Sequence, residues 1–181
     1  MALLGGKSMQ DSRLSDLSQL IDKITHALGQ TIKWLTLVMV LLTFIIVVLR
    51  YGFNVGFIAM QESVLYFHAI VIMLGAAYAY KEDAHVRVDI FYQKFTARNK
   101  AWVNALGIIF LLFPVTIFFG YISVDYVLSS WRVLEKSSEA GGLPLVFINK
   151  TLLLLLPVTL FFQGVSELAK AVISLQQTKG A

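Results

Sequence analysis

The chain has 181 residues, 57% of them hydrophobic and 14% charged, with a mean hydropathy of +0.74. Soluble domains are about 45–50% apolar and about 25% charged, so this composition excludes a water-soluble core and implies a bilayer. Cysteine is absent, which excludes a disulfide framework, cysteine-ligated zinc, iron–sulfur clusters, thiol catalysis and a palmitoyl anchor.

In chain order, residues 12–30 come first. Leu14, Leu17, Ile21, Ile24 and Leu28 recur at 3-4-3-4 spacing, one stripe of a helix, and Asp11 and Ser12 can cap its start. Beside a membrane span, this pattern predicts an amphipathic helix lying in the interface. A short coiled-coil seam with a partner is the alternative. Charges then divide the chain into four uncharged windows: Trp34–Leu49, Ser63–Tyr80, Ala101–Val124 and Thr151–Ser166. A bilayer core needs about 20 apolar residues per helix, and backbone groups in lipid must bond internally. Lys33, Arg50 and Lys150 can snorkel to lengthen the windows they flank. The expectation is a single all-α integral membrane domain over residues 1–181. It has four transmembrane helices, at about 32–51, 63–80, 101–124 and 145–166, plus the N-terminal amphipathic interfacial helix at 12–30. The first window starts late and no clear A-x-A site follows it, so it is read as a retained helix and not a secretory signal.

Between the second and third windows, residues 81–100 place His85, Arg87 and Asp89 in alternation with Val86, Val88 and Ile90. As a strand, polar groups face one way; as a helix, His85 and Asp89 share a face. Phe91, Tyr92 and Phe95 suit the headgroup level. After the third window, Val127, Leu128, Trp131 and Leu134 continue a helical stripe that Gly141, Gly142 and Pro144 end.

Lys and Arg set the orientation. The N-terminal segment, the 81–100 connection and the tail hold 11 of them, while the other two connections hold 4. The basic side stays in the cytoplasm, so both termini are expected inside. The same bias accounts for the net charge of +4, and no clustered basic face points to nucleic acid.

None of the four windows contains Asp, Glu, Lys or Arg, which argues against a proton- or sodium-driven carrier working alone. His68 is the one titratable group well inside a window other than tyrosine. Haem between helices commonly needs two axial histidines, and His26 and His85 lie outside the windows. His68 is therefore read as structural and hydrogen-bonded, with Gln61, Ser63 or Tyr66 as partners. A haem or quinone anchor of a redox enzyme and a small independent carrier are the competing classes. Gly5-Gly6-Lys7-Ser8 lacks the earlier glycine and the preceding strand of a phosphate loop, and no hydrolase or metalloprotease motif is present. No cofactor, metal or catalytic residue is expected. What remains is a helper membrane subunit that acts through its surface. Gly75 and Ala79 form a small-x-x-x-small pair on the second span, and the third and fourth spans carry Gly107, Gly120, Gln163 and Gly164. Arg50 and Glu62 flank one short connection, and His85 and Asp89 mark another. These four, with Gly75 and Ala79, are the candidate partner-binding residues.

From about Trp34 to Val172 the chain resembles the small membrane subunit of tripartite ATP-independent periplasmic (TRAP) transporters. The four-span plan, Arg50-Tyr51 closing the first span and Gln61-Glu62 opening the second all carry the resemblance. So do Leu74-Gly75-Ala76-Ala77-Tyr78-Ala79-Tyr80 running into His85-Val86-Arg87-Val88-Asp89, and Ser130-Trp131-Arg132 through Gly141-Gly142-Leu143-Pro144. The resemblance implies a non-catalytic scaffold in the bacterial inner membrane. Its partners would be a large twelve-span subunit that moves substrate with a sodium gradient, a periplasmic binding protein that captures it, and membrane lipids. The substrate in this family is often a carboxylate. The short stretch after the fourth span suits the separate, unfused form of the subunit.

Overall fold

In a computed structural model, the chain is helical throughout its four apolar windows. The structure describes residues 2–85, 92 and 94–177, with side-chain surroundings from residue 12 onward. Helix α1 runs Ala2–Gly52 and α2 runs Ile58–Lys81. Helix α3 (Ala97–Gly107), a π-helical turn (Ile108–Leu112) and α4 (Phe113–Arg132) form one rod, and α5 spans Val146–Gln177. Four stretches are long and apolar enough to cross a membrane: Ser12–Gly52, Ile58–Lys81, Ala97–Arg132 and Val146–Gln177.

Successive spans run antiparallel. One end of the bundle therefore carries the N-terminal half of α1, the start of α3 and the end of α5; it is called the terminal end here. The other, the loop end, carries the 53–57 and 133–145 connections. Among the described elements, α5 touches every other one, and it is the structural hub. It carries buried Leu152, Pro157, Gln163, Gly164, Ser166, Ala169 and Ala171, whereas α2 buries only Ala77. Small and polar residues dominate this set because lipid gives no drive for apolar burial between helices, and association rests on close approach and polar pairing. Gly164 supplies such a notch: a Cβ there would lie 2.6 Å from Leu112 and 3.0 Å from Phe113. Gly29 does the same on α1, where the Tyr78 ring fills the space of a side chain.

The π turn follows from Pro114. Proline has no N–H to continue the ladder, and its ring clashes with the carbonyl four residues back. The turn just before it widens, and the Phe113 N–H reaches back five residues to the Ile108 carbonyl. Thr116 Oγ1 then donates to the Leu112 and Phe113 carbonyls at 2.9 and 3.0 Å. Ile108, in the widened turn, is almost completely buried against α5.

Residues 12–30 are helical, and they continue without a break into the first span. Their apolar stripe is only partly sheltered, with Leu14, Ile21 and Leu28 half-buried. The buried positions of this stretch are Ser18, Thr25 and Gly29, with Ile32 just beyond it, while Leu17, Leu20 and Ile24 are exposed. The helix is rotated so that its polar residues meet polar residues of α5. At the loop end, the third span continues as expected to Arg132, where the chain turns. Val127 is buried, but Leu128 and Leu134 stay exposed, and Leu134 lies beyond the helix with φ of 45°.

Candidate functional site

At the terminal end, Ser18, Asp22 and Thr25 lie on one face of α1, at helical spacings of four and three. Gln163, Ser166, Glu167 and Lys170 do the same on α5. Where the faces meet, Thr25 Oγ1 donates to Gln163 Oε1 at 2.8 Å, and Gln163 Nε2 donates to Asp22 Oδ1 at 2.9 Å and to Glu167 Oε1 at 3.2 Å. Ser166 Oγ donates to Asp22 Oδ1 at 2.7 Å and lies 3.2 Å from the Ser18 carbonyl. Lys170 Nζ pairs with Asp22 Oδ2 and Glu167 Oε1, both at 2.7 Å. Gln163 and Ser166 are wholly buried. Asn and Gln offer both a donor and an acceptor end, and Gln163 uses both here. Two carboxylates, Asp22 and Glu167, share the one ammonium of Lys170, and the buried Gln163 and Ser166 are hydrogen-bonded within the cluster. Its chemistry is cohesion between helices.

Next to it, His26 Nδ1 lies 3.8 Å from Glu82 Oε1, and the His26 and Tyr78 rings are 5.9 Å apart. Lys81 Nζ sits 2.7 Å from the same Glu82 oxygen, and this hydrogen bond is the main reason the Glu82 carboxyl is held below its ordinary range. Tyr92 Oη donates to Asn104 Oδ1 at 3.1 Å and lies under the Lys100 ammonium. These contacts tie Glu82 to α1 and Tyr92 to α3 with side chains suited to the headgroup region.

At the loop end, Glu62 organises the long connection. Its carboxylate accepts the Leu143 N–H at 2.6 Å and the Ser137 hydroxyl. Gly142 is required there, since a Cβ would collide with Ser137 and Glu62, and Gly141 adopts φ of +82°. Lys150 Nζ pairs with Glu135 Oε2 at 2.6 Å and lies 4.1 Å from the Tyr126 ring centroid. Trp131 Nε1 donates to Thr151 Oγ1 at 2.9 Å. The result is a folded cap carrying exposed Tyr126, Trp131, Val133 and Leu134.

The candidate partner-binding residues separate in space. Arg50 is exposed in the last turn of α1, and Glu62 is engaged by the 133–145 connection. Gly75 and Ala79 are on α2, and a Cβ at Gly75 would meet nothing within 4 Å. His85 is exposed at the terminal end, 6.0 Å from the Tyr80 ring. Asp89, like Arg87, lies outside the described residues. His68 departs from its expected role. It is exposed on α2, and none of its expected partners bonds to it: Ser63 Oγ donates to the Ala59 carbonyl at 2.7 Å, and the Tyr66 hydroxyl is buried without a partner. The residues that sequence reasoning missed are Asp22, Ser18 and Thr25. Their signal was present as a polar stripe beside the apolar one, but its partners lie some 140 residues away on α5.

Among the described residues, no group of three or more His, Asp or Glu is placed to hold a metal. One apolar groove of about 350 Å³ is lined by Leu17, Ile24, Leu28, Leu74 and Phe162, and a polar one of about 260 Å³ is lined by Lys81, Asp83, Asn104 and Glu167. Architecture and contacts thus define a multi-pass helical membrane protein held together by its own polar groups. The family of tripartite ATP-independent periplasmic transporters, DctQ component, matches residues 39–174, well over half of the chain, and the chain belongs to it. It is the small membrane subunit of a TRAP transporter, an inner-membrane transport component and not an enzyme; the family works with a large permease subunit and a periplasmic binding protein. No curated protein and no solved structure is similar to it.

Proposed function

We propose that this subunit is a scaffold for the large, twelve-span subunit of a sodium-coupled importer of an organic acid, with both its termini in the cytoplasm. It carries no transport site of its own. The observation that supports this reading best is the state of its small residues. Gly29 and Gly164 are consumed by internal packing, whereas Gly75 opens onto empty space on an apolar helix. In a membrane, an uncommitted glycine one turn from Ala79 suits close approach by a helix of another subunit. Arg50 and His85, exposed near opposite ends of α1 and α2, together with Asp89, complete the proposed contact line; Glu62 serves it by ordering the neighbouring cap.

The test is co-purification of the large subunit and solute uptake into vesicles under an imposed sodium gradient. Gly75→Leu is expected to abolish both while the chain still inserts, and Arg50→Ala is expected to weaken both. A pair sealed between proteins loses about 2–5 kcal/mol when truncated, against about 0–1 kcal/mol for an exposed one. Parental assembly in both variants rejects the contact line. Uptake indifferent to sodium rejects the coupling, and a periplasmic signal from a reporter fused after Lys100 rejects the orientation.

A further inference from the structure

The first span and the N-terminal extension are one helix, so whatever sets the rotation of residues 12–32 also sets which face α1 turns outward along residues 34–48. Two sets of side chains could set it. The apolar stripe is the obvious one, yet Leu17 and Ile24 are 44% and 55% exposed, and Leu14, Ile21 and Leu28 are only half-buried. The polar stripe is the one buried, with Ser18 and Thr25 at 5% and 6% against wholly buried Gln163 and Ser166. A turn of α1 by one residue, about 100°, would bring the apolar stripe inward and take from Gln163 Oε1 and Ser166 Oγ their α1 partners at a buried site, leaving the Gln163 amide only Glu167 on its own helix. Apolar burial returns little where lipid competes for the same surface, so the polar set decides.

We infer that Asp22, Thr25, Gln163, Ser166 and Lys170 form a polar latch that sets the rotational register of α1. Through the unbroken helix, the latch fixes the face that the first span presents to its surroundings. Gln163 is the central member because it binds α1 at two successive turns, Asp22 and Thr25. Asp22 and Lys170 supply the charge pairing that gives the register its direction. These are positioning residues; none of them needs to touch solute.

The chain has no cysteine, so spin labels can be placed at will. One pair, Gln19→Cys with Gln177→Cys, reports docking of the N-terminal half. A second, Phe44→Cys with Leu65→Cys on exposed faces of α1 and α2, reports rotation of the first span. Distances are read in the full chain assembled with a cysteine-free large subunit. The parent is expected to give one narrow peak for each pair. Gln163→Leu, close in size and more apolar, is expected to lose the parent peak in both pairs. Ser166→Ala, a milder change, is expected to broaden both. Asp22→Asn, which keeps an acceptor oxygen for Gln163 and Ser166 but loses the charge pairing with Lys170, is expected to broaden both peaks less than Asp22→Leu, which removes the acceptor as well. Leu17→Ala with Ile24→Ala is expected to leave them in place. Parental peaks in Gln163→Leu, or their loss in Leu17→Ala with Ile24→Ala, would overturn the latch.

Discussion

Glu62, near the start of α2, accepts the backbone N–H of Leu143 at 2.6 Å across 81 residues of sequence. One carboxylate thereby ties the 133–145 connection to α2. Hydrogen bonds to a charged group contribute about 1.5–3 kcal/mol. Glu62→Ala is expected to open the 133–145 connection to protease in permeabilised membranes, with the helices still inserted. Glu62→Gln, which keeps one acceptor, should be cut more slowly. Equal resistance in the parent and Glu62→Ala would show that the turn holds itself.

The same connection should respond to acid. Hydrogen bonding to Lys150 at 2.6 Å is the main reason the Glu135 carboxyl is held below its ordinary value of 4.5. A carboxyl lowered in the folded state stabilises at pH above its unfolded value, and the contribution is lost as pH falls through the folded value. Trp131, whose indole N–H bonds Thr151, reports on the neighbourhood once Trp34 and Trp102 are replaced by Phe. Its fluorescence should stay flat from pH 7 to about 5 and change only below the ordinary glutamate range. Glu135→Gln should abolish the pH-dependent part. A transition centred near pH 6 to 7 would point to a different group.

Internal and outward glycines should differ sharply on substitution. At Gly29 a Cβ runs into the base of the Tyr78 ring, and at Gly164 it lies 2.6 Å from Leu112. Overpacking of this kind costs about 1–3 kcal/mol. Gly29→Ala and Gly164→Ala should lower the detergent melting temperature of the isolated chain, whereas Gly75→Ala should leave it unchanged. The reverse order would contradict the packing.

His68→Gln is expected to leave assembly and uptake within about twofold of the parent, the span of an ordinary surface substitution. His68 is exposed and bonds to none of Gln61, Ser63 or Tyr66. A visible absorption band in the purified complex that His68→Gln removes would instead support a bound chromophore.

Read alone, the sequence determined the number of spans, their order and the class of protein. Four charge-free windows in lipid admit only helices, and the small and polar residues within them mark where helices can approach. It placed the end of the third helix at Gly141 and Gly142, but the helix stops at Arg132 and Leu134 already lies outside it with φ of 45°. Rotation was not legible. The 3-4-3-4 stripe of Leu14 to Leu28 is a local signal, and in water it would have pointed inward; beside a membrane it carries little weight against unpaired groups on another helix. Only the tertiary structure brought Asp22 to Gln163 and Glu62 to Leu143, contacts that span 141 and 81 residues and leave no periodic trace. The physical reason is the same in both cases. A buried polar atom must find its partner wherever the fold puts it, and the cost of leaving it unpaired exceeds what local amphipathicity can return.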